Sequence, residues 1–199
     1  MTKTKAKPKT LEDHSSENAF CNYILIFFTC ALIGWIWEVI LYFFMTGGHF
    51  VNRGVLHGPW LPIYGFGGLG IVLLLHRFKK HPILVFFAAM IGCGILEYFT
   101  GWYLETFKHL KWWDYSQEFL NLHGRICIGS VTMFGVCGLA MIYLLYPILI
   151  KFFNLLELRP KKVLCFALVI FFCADFIYSS DVPNTGEGIT NEITYLDQN

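Results

Sequence analysis

The sequence predicts an all-α integral membrane helix bundle with about five transmembrane helices, from hydrophobic runs near the ~20 residues that cross a bilayer. Three observations support this. Of 199 residues, 56% are hydrophobic and only 15% charged, with a mean hydropathy of +0.54. Soluble domains sit near 45–50% and about 25%. Twenty Phe and ten Tyr push the composition further toward lipid. The apolar residues also fall into separated runs rather than being spread through the chain. Soluble, disordered and fibrous classes are thereby excluded. A net charge of +1 and a pI near 7.6 provide no polybasic surface, so no nucleic-acid partner is expected.

The runs cover residues 22–45, 61–75, 82–107, 126–150 and 163–178. The first is too long for a cleaved signal peptide and follows a polar segment. Residues 1–20, Lys-rich and then acidic, are expected to be a disordered cytoplasmic tail. Residues 21–179 form the transmembrane domain. The second run is short and begins near Pro59 and Pro62. Pro82 and Pro160 lie where the third and fifth helices start, since the first helical turn tolerates proline. Residues 180–199 are read as an acidic extracytoplasmic tail, with Asp181, Glu187, Glu192 and Asp197 and no Lys or Arg.

Orientation follows from the basic residues. Lys3, Lys5, Lys7 and Lys9, then Arg77, Lys79 and Lys80, then Lys151, Arg159, Lys161 and Lys162 fall on one side. Arg53, Lys108, Lys111 and Arg125 fall on the other. The N-terminus is therefore expected in the cytoplasm and the C-terminus outside.

Ionisable residues inside a membrane are costly and mark partners or function. Glu38, Glu97 and Asp175 lie at similar depths in the outer halves of the first, third and fifth helices, counted at about 1.5 Å per residue. Glu97, Gly101 and Glu105 follow at helical spacing, so both carboxylates share one face with a small residue between them. Trp35, Glu38 and Tyr42 make a similar stripe on the first helix. The outer loops supply Arg53, His57, Trp112, Trp113, Asp114, Tyr115, Asn121, His123 and Arg125. The candidate ligand-binding set is Glu38, Arg53, His57, Glu97, Glu105, Trp112, Trp113, Asp114, Asn121 and Arg125. Two interpretations stay open. Glu38 and Glu97 pair with Arg53 and Arg125 to hold the bundle, or the group binds a solute. Trp112 and Trp113 are alternatively interface anchors.

A short internal match suggests a parallel two-helix repeat. Gly34-Trp35-Ile36-Trp37-Glu38 leads to Leu56-His57-Gly58 and Phe66-Gly67-Gly68-Leu69. Gly92-Cys93-Gly94-Ile95-Leu96-Glu97 leads to Leu122-His123-Gly124 and Phe134-Gly135. Such a repeat, about an axis along the membrane normal, makes Glu38 and Glu97 equivalent and faces them across the axis. Gly65-x-Gly67-x-x-Gly70 matches the dinucleotide fingerprint but lies in an apolar span without a preceding strand, so close helix packing is expected instead. Seven cysteines without CxxC spacing read as small apolar residues, and no metal or cofactor is expected.

The blocks Gly34-Trp35-Ile36-Trp37-Glu38, Asn52-Arg53-Gly54-Val55-Leu56-His57-Gly58-Pro59-Trp60-Leu61-Pro62-Ile63-Tyr64-Gly65, Glu97-Tyr98-x-x-Gly101, Trp112-Trp113-Asp114-Tyr115-Ser116 and Asn121-Leu122-His123-Gly124-Arg125-Ile126 resemble the putative ABC-transporter type IV family. The resemblance runs from about residue 22 to about residue 178 and implies a permease-like protein of the bacterial cytoplasmic membrane. It also implies a separate ATPase subunit, because this chain has no Walker A loop. On the inner side, residues 151–162 are the one segment with room for a small coupling helix. Two further classes remain: an enzyme acting on an outer-leaflet lipid or phosphate-bearing substrate, and a small-solute binding module. In the enzyme, Glu38 or Glu97 is the base, Arg53 and Arg125 hold phosphate, and His57 or Asp114 carries the proton. In the module, Trp35, Trp102, Trp112 and Trp113 stack on the ligand.

Overall fold

A computed structural model describes residues 11–192. The helices are α1 (Leu11–Met45), α2 (Pro62–Leu75), α3 (Pro82–Lys108), α4 (Ile128–Ala140), α5 (Tyr146–Phe153) and α6 (Leu158–Asp181). A π-helical turn, Met141–Leu145, joins α4 to α5 into one apolar rod, Ile128–Phe153. The cause is Pro147, which has no N–H to donate and would crowd the preceding turn of a regular helix. The ladder loosens there, and the Tyr146 N–H bonds back to Met141 O.

Among the described residues four helices are long and apolar enough to cross a membrane, and α2 with its 3₁₀ extension is a shorter apolar helix. At 14 residues, α2 rises only about 21 Å. The missing depth is filled by the extended segment 50–61, which is folded in against the bundle. Leu56 and Leu61 are buried, and the Leu61 N–H reaches Ala31 O on α1. Non-helical backbone at such depth requires protein partners for its polar groups, and this segment has them.

Three boundaries differ from the sequence expectation. Helix α1 begins at Leu11, so the part of the expected disordered tail that lies within the described residues is helical. The remainder of that tail, residues 1–10, lies outside the described residues. Helix α6 begins at Leu158, before Pro160, and places that proline in its first turn. Between α5 and α6 only residues 154–157 remain, a tight turn, so 151–162 does not form a separate coupling helix.

The core is drawn from every long element: Ile26, Ile71, Val85, Ala89, Met141, Ile142 and Cys165 are buried together. The outer faces are lined with exposed Phe, Leu and Ile, among them Phe166, Phe171 and Ile177 on α6. This is the inverse of a soluble surface and suits contact with lipid. Cys137 and Cys173 join that apolar exterior, while Cys21, Cys30, Cys127 and Cys165 are buried.

The repeat is visible in the packing. A Cβ added at Gly65 would strike Phe27, and one at Gly68 would strike Cys30. In the second pair of helices, Gly135 sits against Phe86 and Gly138 against Ala89. Phe86 follows Phe27, and Ala89 follows Cys30, by the same sequence offset that relates Glu97 to Glu38. The α1–α2 and α3–α4 hairpins are thus the same packing unit used twice. The glycines of the fingerprint-like run serve close helix approach.

Connections 46–61 and 109–127 and the tail 182–192 gather at one end. There the tail pairs β2 (Asn191–Glu192) with β1 (Leu110–Lys111). At the opposite end, Lys161 is fully buried and its Nζ donates to Asn18 Oδ1 (2.5 Å) and Asn22 Oδ1 (3.0 Å). Asn154 accepts from the side-chain amides of Asn18 and Asn22, and Lys162 pairs with Glu17. This hub ties the start of α1 to the α5–α6 turn.

Candidate functional site

The polar end is built from the two hairpins and covered by loops. In the first hairpin, Glu38 on α1 accepts from Tyr64 Oη at 2.8 Å. Its other oxygen lies 3.8 Å from Arg53 Nε. In the second, Glu97 on α3 is buried and accepts from Tyr115 Oη (3.1 Å) and Ser130 Oγ (3.1 Å). Tyr64 and Ser130 are each the third residue of the returning helix. Ser130 is also held by a capping arrangement in which Cys127 Sγ accepts from its N–H and its Oγ accepts from the Cys127 N–H. Burial, then the charge and hydrogen bond of Glu97, then the charge of Glu38, push the Tyr115 phenol pKa well up. The phenol therefore stays protonated and donates to Glu97.

Arg53 lies above Glu38 with its guanidinium carbon 4.6 Å from the centre of the Tyr42 ring. Nη1 donates to Gly188 O (2.5 Å) and Ile189 O (3.2 Å), and Nη2 to Trp112 O (3.1 Å). Nε is buried without a hydrogen-bond partner among the described residues. Every acceptor of its Nη groups is a neutral carbonyl.

The remaining expected residues do other work. Arg125 does not reach Glu97. Its Nε and Nη2 both bond Glu105 Oε2 (2.9 and 2.6 Å), and Nη1 reaches Tyr98 Oη (3.2 Å). Burial opposes its charge, but Glu105 and Tyr98 outweigh that and raise its pKa. Gly101 provides the room expected of it, with the Trp113 ring and the Arg125 chain lying over it. Trp113 Nε1 donates to Arg125 O, and the buried Trp112 donates to Asn184 O in the tail. Trp112 thus anchors the tail under the loops. Asp114 accepts from the Ser116 N–H and Oγ; burial opposes ionisation, but these bonds and Lys111 prevail and lower its pKa. Asn121 bonds Ser116 O, Glu118 O and the Gly124 N–H, closing the same loop. His123 meets Tyr98 Oη at 2.8 Å.

Asp175, read from sequence with the two Glu residues, instead secures segment 50–61. It accepts from the N–H groups of His57 (3.1 Å) and Gly58 (2.8 Å), from Trp60 Nε1 (2.6 Å) and from Ser179 Oγ (3.0 Å). His57 Nδ1 meets Ser179 Oγ at 2.9 Å. The structure thus places Glu38 beside Arg53 and under Tyr64, and Glu97 under Tyr115 and Ser130. His57, Trp112, Trp113, Asp114, Asn121 and Arg125 lie in the loops, and Glu105 lies on α3, where it holds Arg125.

Sequence reasoning missed Tyr64, Ser130, Trp60, Ser179 and Asn184. Tyr64 and Ser130 carried a weak signal as hydroxyls in the first turn of a returning helix, although the glycine register pairs Tyr64 with Phe134. The others join segments far apart in sequence and carried none. Among the described residues no group of three or more His, Cys, Asp or Glu is placed to hold a metal ion.

No curated protein and no solved structure matches this chain. The model of the family described as putative ABC-transporter type IV matches residues 25–180, from the core of α1 to the end of α6. The chain belongs to the putative ABC-transporter type IV family and is a multi-pass membrane protein of that transporter-like group.

Proposed function

We propose that this chain is the permease-like subunit of an ABC-type transporter in the bacterial cytoplasmic membrane, handling its solute at the Glu38–Arg53–Glu97 centre on the extracytoplasmic side. The observation that carries this is a pair of repeat-related carboxylates at one end of the bundle, Glu38 beside an arginine with an unmatched donor and Glu97 buried under two hydroxyl donors. A centre on the axis between repeats is where transporters of this kind hold substrate. Arg77, Lys79, Lys80, Lys151, Arg159, Lys161 and Lys162 lie at the opposite end, which supports reading that end as cytoplasmic. A separate ATPase docks there. Its contact is the α5–α6 turn, where Leu155 is 76% exposed between Lys151 and Arg159.

The test is affinity purification of the intact protein from its host membrane in mild detergent. An ATPase subunit copurifies with the wild-type chain and with Glu97→Gln, and is lost with Leu155→Asp. Absence of any ATPase from the wild-type preparation overturns the proposal.

A further inference from the structure

The C-terminal segment folds back across Arg53. The Asn184 N–H bonds Val55 O, and its side-chain amide bonds Asn52 O and Gly54 O. Trp112 holds Asn184 O from the other side. Beyond this clamp, Gly186 and Gly188 take positive φ (132° and 75°), and the chain turns so that the carbonyls of Gly188 and Ile189 meet Arg53 Nη1. Gly188 lies so close to Tyr42 that a Cβ there would approach the ring to 2.9 Å.

The choice of acceptors is informative. The segment carries Asp181 and Glu187, yet it presents neutral carbonyls to the guanidinium, and Glu187 is exposed. Hydrogen bonds from a guanidinium to a charged oxyanion are roughly twice as strong as neutral ones, and the guanidinium fork suits phosphate geometry. A phosphate oxygen is therefore a better partner for Nη1 than either carbonyl. Tyr42 beneath the guanidinium and Glu38 beside Nε fix its plane, leaving Nη1 to face the segment while Nη2 holds Trp112 O.

We propose that Arg53 anchors an oxyanion-binding site for a phosphate-bearing solute or lipid headgroup, which residues 182–190 cap with their own carbonyls until the ligand displaces them. This rests on the proposed function only in placing the site outside the cell. Arg125, engaged by Glu105, takes no part. Opening the cap exposes Arg53 while leaving the Asp175 clamp and the Arg125–Glu105 pair in place.

The test is arginine modification by phenylglyoxal of the full chain in phosphatidylcholine nanodiscs, with adducts at Arg53 and Arg125 quantified by peptide mass spectrometry. Asn184→Ala and Gly188→Val, which loosen the cap at separate points, are expected to speed modification of Arg53 by about tenfold, the effect of losing one or two hydrogen bonds. The Arg125 rate stays unchanged. Inorganic phosphate then slows the Arg53 reaction severalfold if the ligand is a free solute. Phosphatidylglycerol nanodiscs without phosphate slow it if the ligand is a headgroup. A second measurement needs no variant: in the wild-type chain, phosphate or phosphatidylglycerol speeds amide exchange at Asn184. An Arg53 rate unchanged in both variants, Arg53 exposed in the variants but protected by neither probe, or Asn184 exchange indifferent to both, overturns the proposal. None of these readouts involves an ATPase, so the transporter assignment stands or falls separately.

Discussion

The two hairpins share a scaffold and differ in what they do with their acid. In α1–α2, Glu38 is half-buried, has a single hydroxyl donor, and stands beside an arginine that is shared with the C-terminal segment. In α3–α4, Glu97 is sealed, takes two hydroxyl donors, and has no arginine, because Arg125 is drawn away to Glu105. The difference originates in the loops. Segment 50–61 runs extended into the bundle and brings Arg53 toward Glu38, while 109–127 folds on its own Asp114 and Asn121 turns and inserts Tyr115 instead. One helical unit, used twice, thus gives a guarded carboxylate under Tyr115 and a more accessible one beside Arg53.

The largest effect that sharpens this contrast is expected from Glu97→Ala. It takes a charged acceptor from two hydroxyls, Tyr115 and Ser130, at roughly 1–3 kcal/mol for each bond lost, whereas Glu38→Ala takes it from Tyr64 alone, at roughly 1–3 kcal/mol. Apparent melting in detergent checks the order, and equal losses break the distinction between the halves. Next come Gly68→Ala and Gly138→Ala. Both push a methyl into the facing helix, and overpacking of this kind costs about 1–3 kcal/mol. The shared scaffold requires both to destabilise; a neutral result at either position means that the two hairpins are not the same unit. The smallest effect concerns Asp114. Its lowered pKa means that its contribution is complete above the ordinary carboxylate value of about 4 and is lost as pH falls through the lowered value. Tryptophan fluorescence of the 109–127 loop should therefore change on the acid side of pH 4 in the wild-type chain and not in Asp114→Asn.

Much of this architecture is legible in the sequence, because runs of apolar residues and the distribution of Lys and Arg are strong one-dimensional signals. The helices and the two-ended arrangement follow from them, while the pairing of Glu38 with Glu97 comes from the short internal match. What is not legible is partner choice. Nothing in the spacing of Arg53, Arg125, Glu38, Glu97 and Glu105 says which arginine meets which acid, since that depends on how far each loop enters the bundle. The same holds for Asp175, whose depth suggests a third site acid and whose four donors come from segment 50–61 and from Ser179 one helical turn away. The π turn before Pro147 is likewise a compromise between a proline and an otherwise continuous span, and the apolar pattern passes over it.

ATP turnover by the complex of this chain with the proposed ATPase in nanodiscs, with Glu97→Gln set against Glu105→Gln, separates function from support most directly. Glu97→Gln is expected to assemble and fold yet lose turnover by roughly tenfold or more, as a charged acceptor becomes a neutral one. Glu105→Gln is expected to lower thermal stability while turnover per folded complex is unchanged. Normal turnover in Glu97→Gln, or losses in both variants that merely follow the amount of folded protein, would contradict a solute-handling centre at Glu38, Arg53 and Glu97.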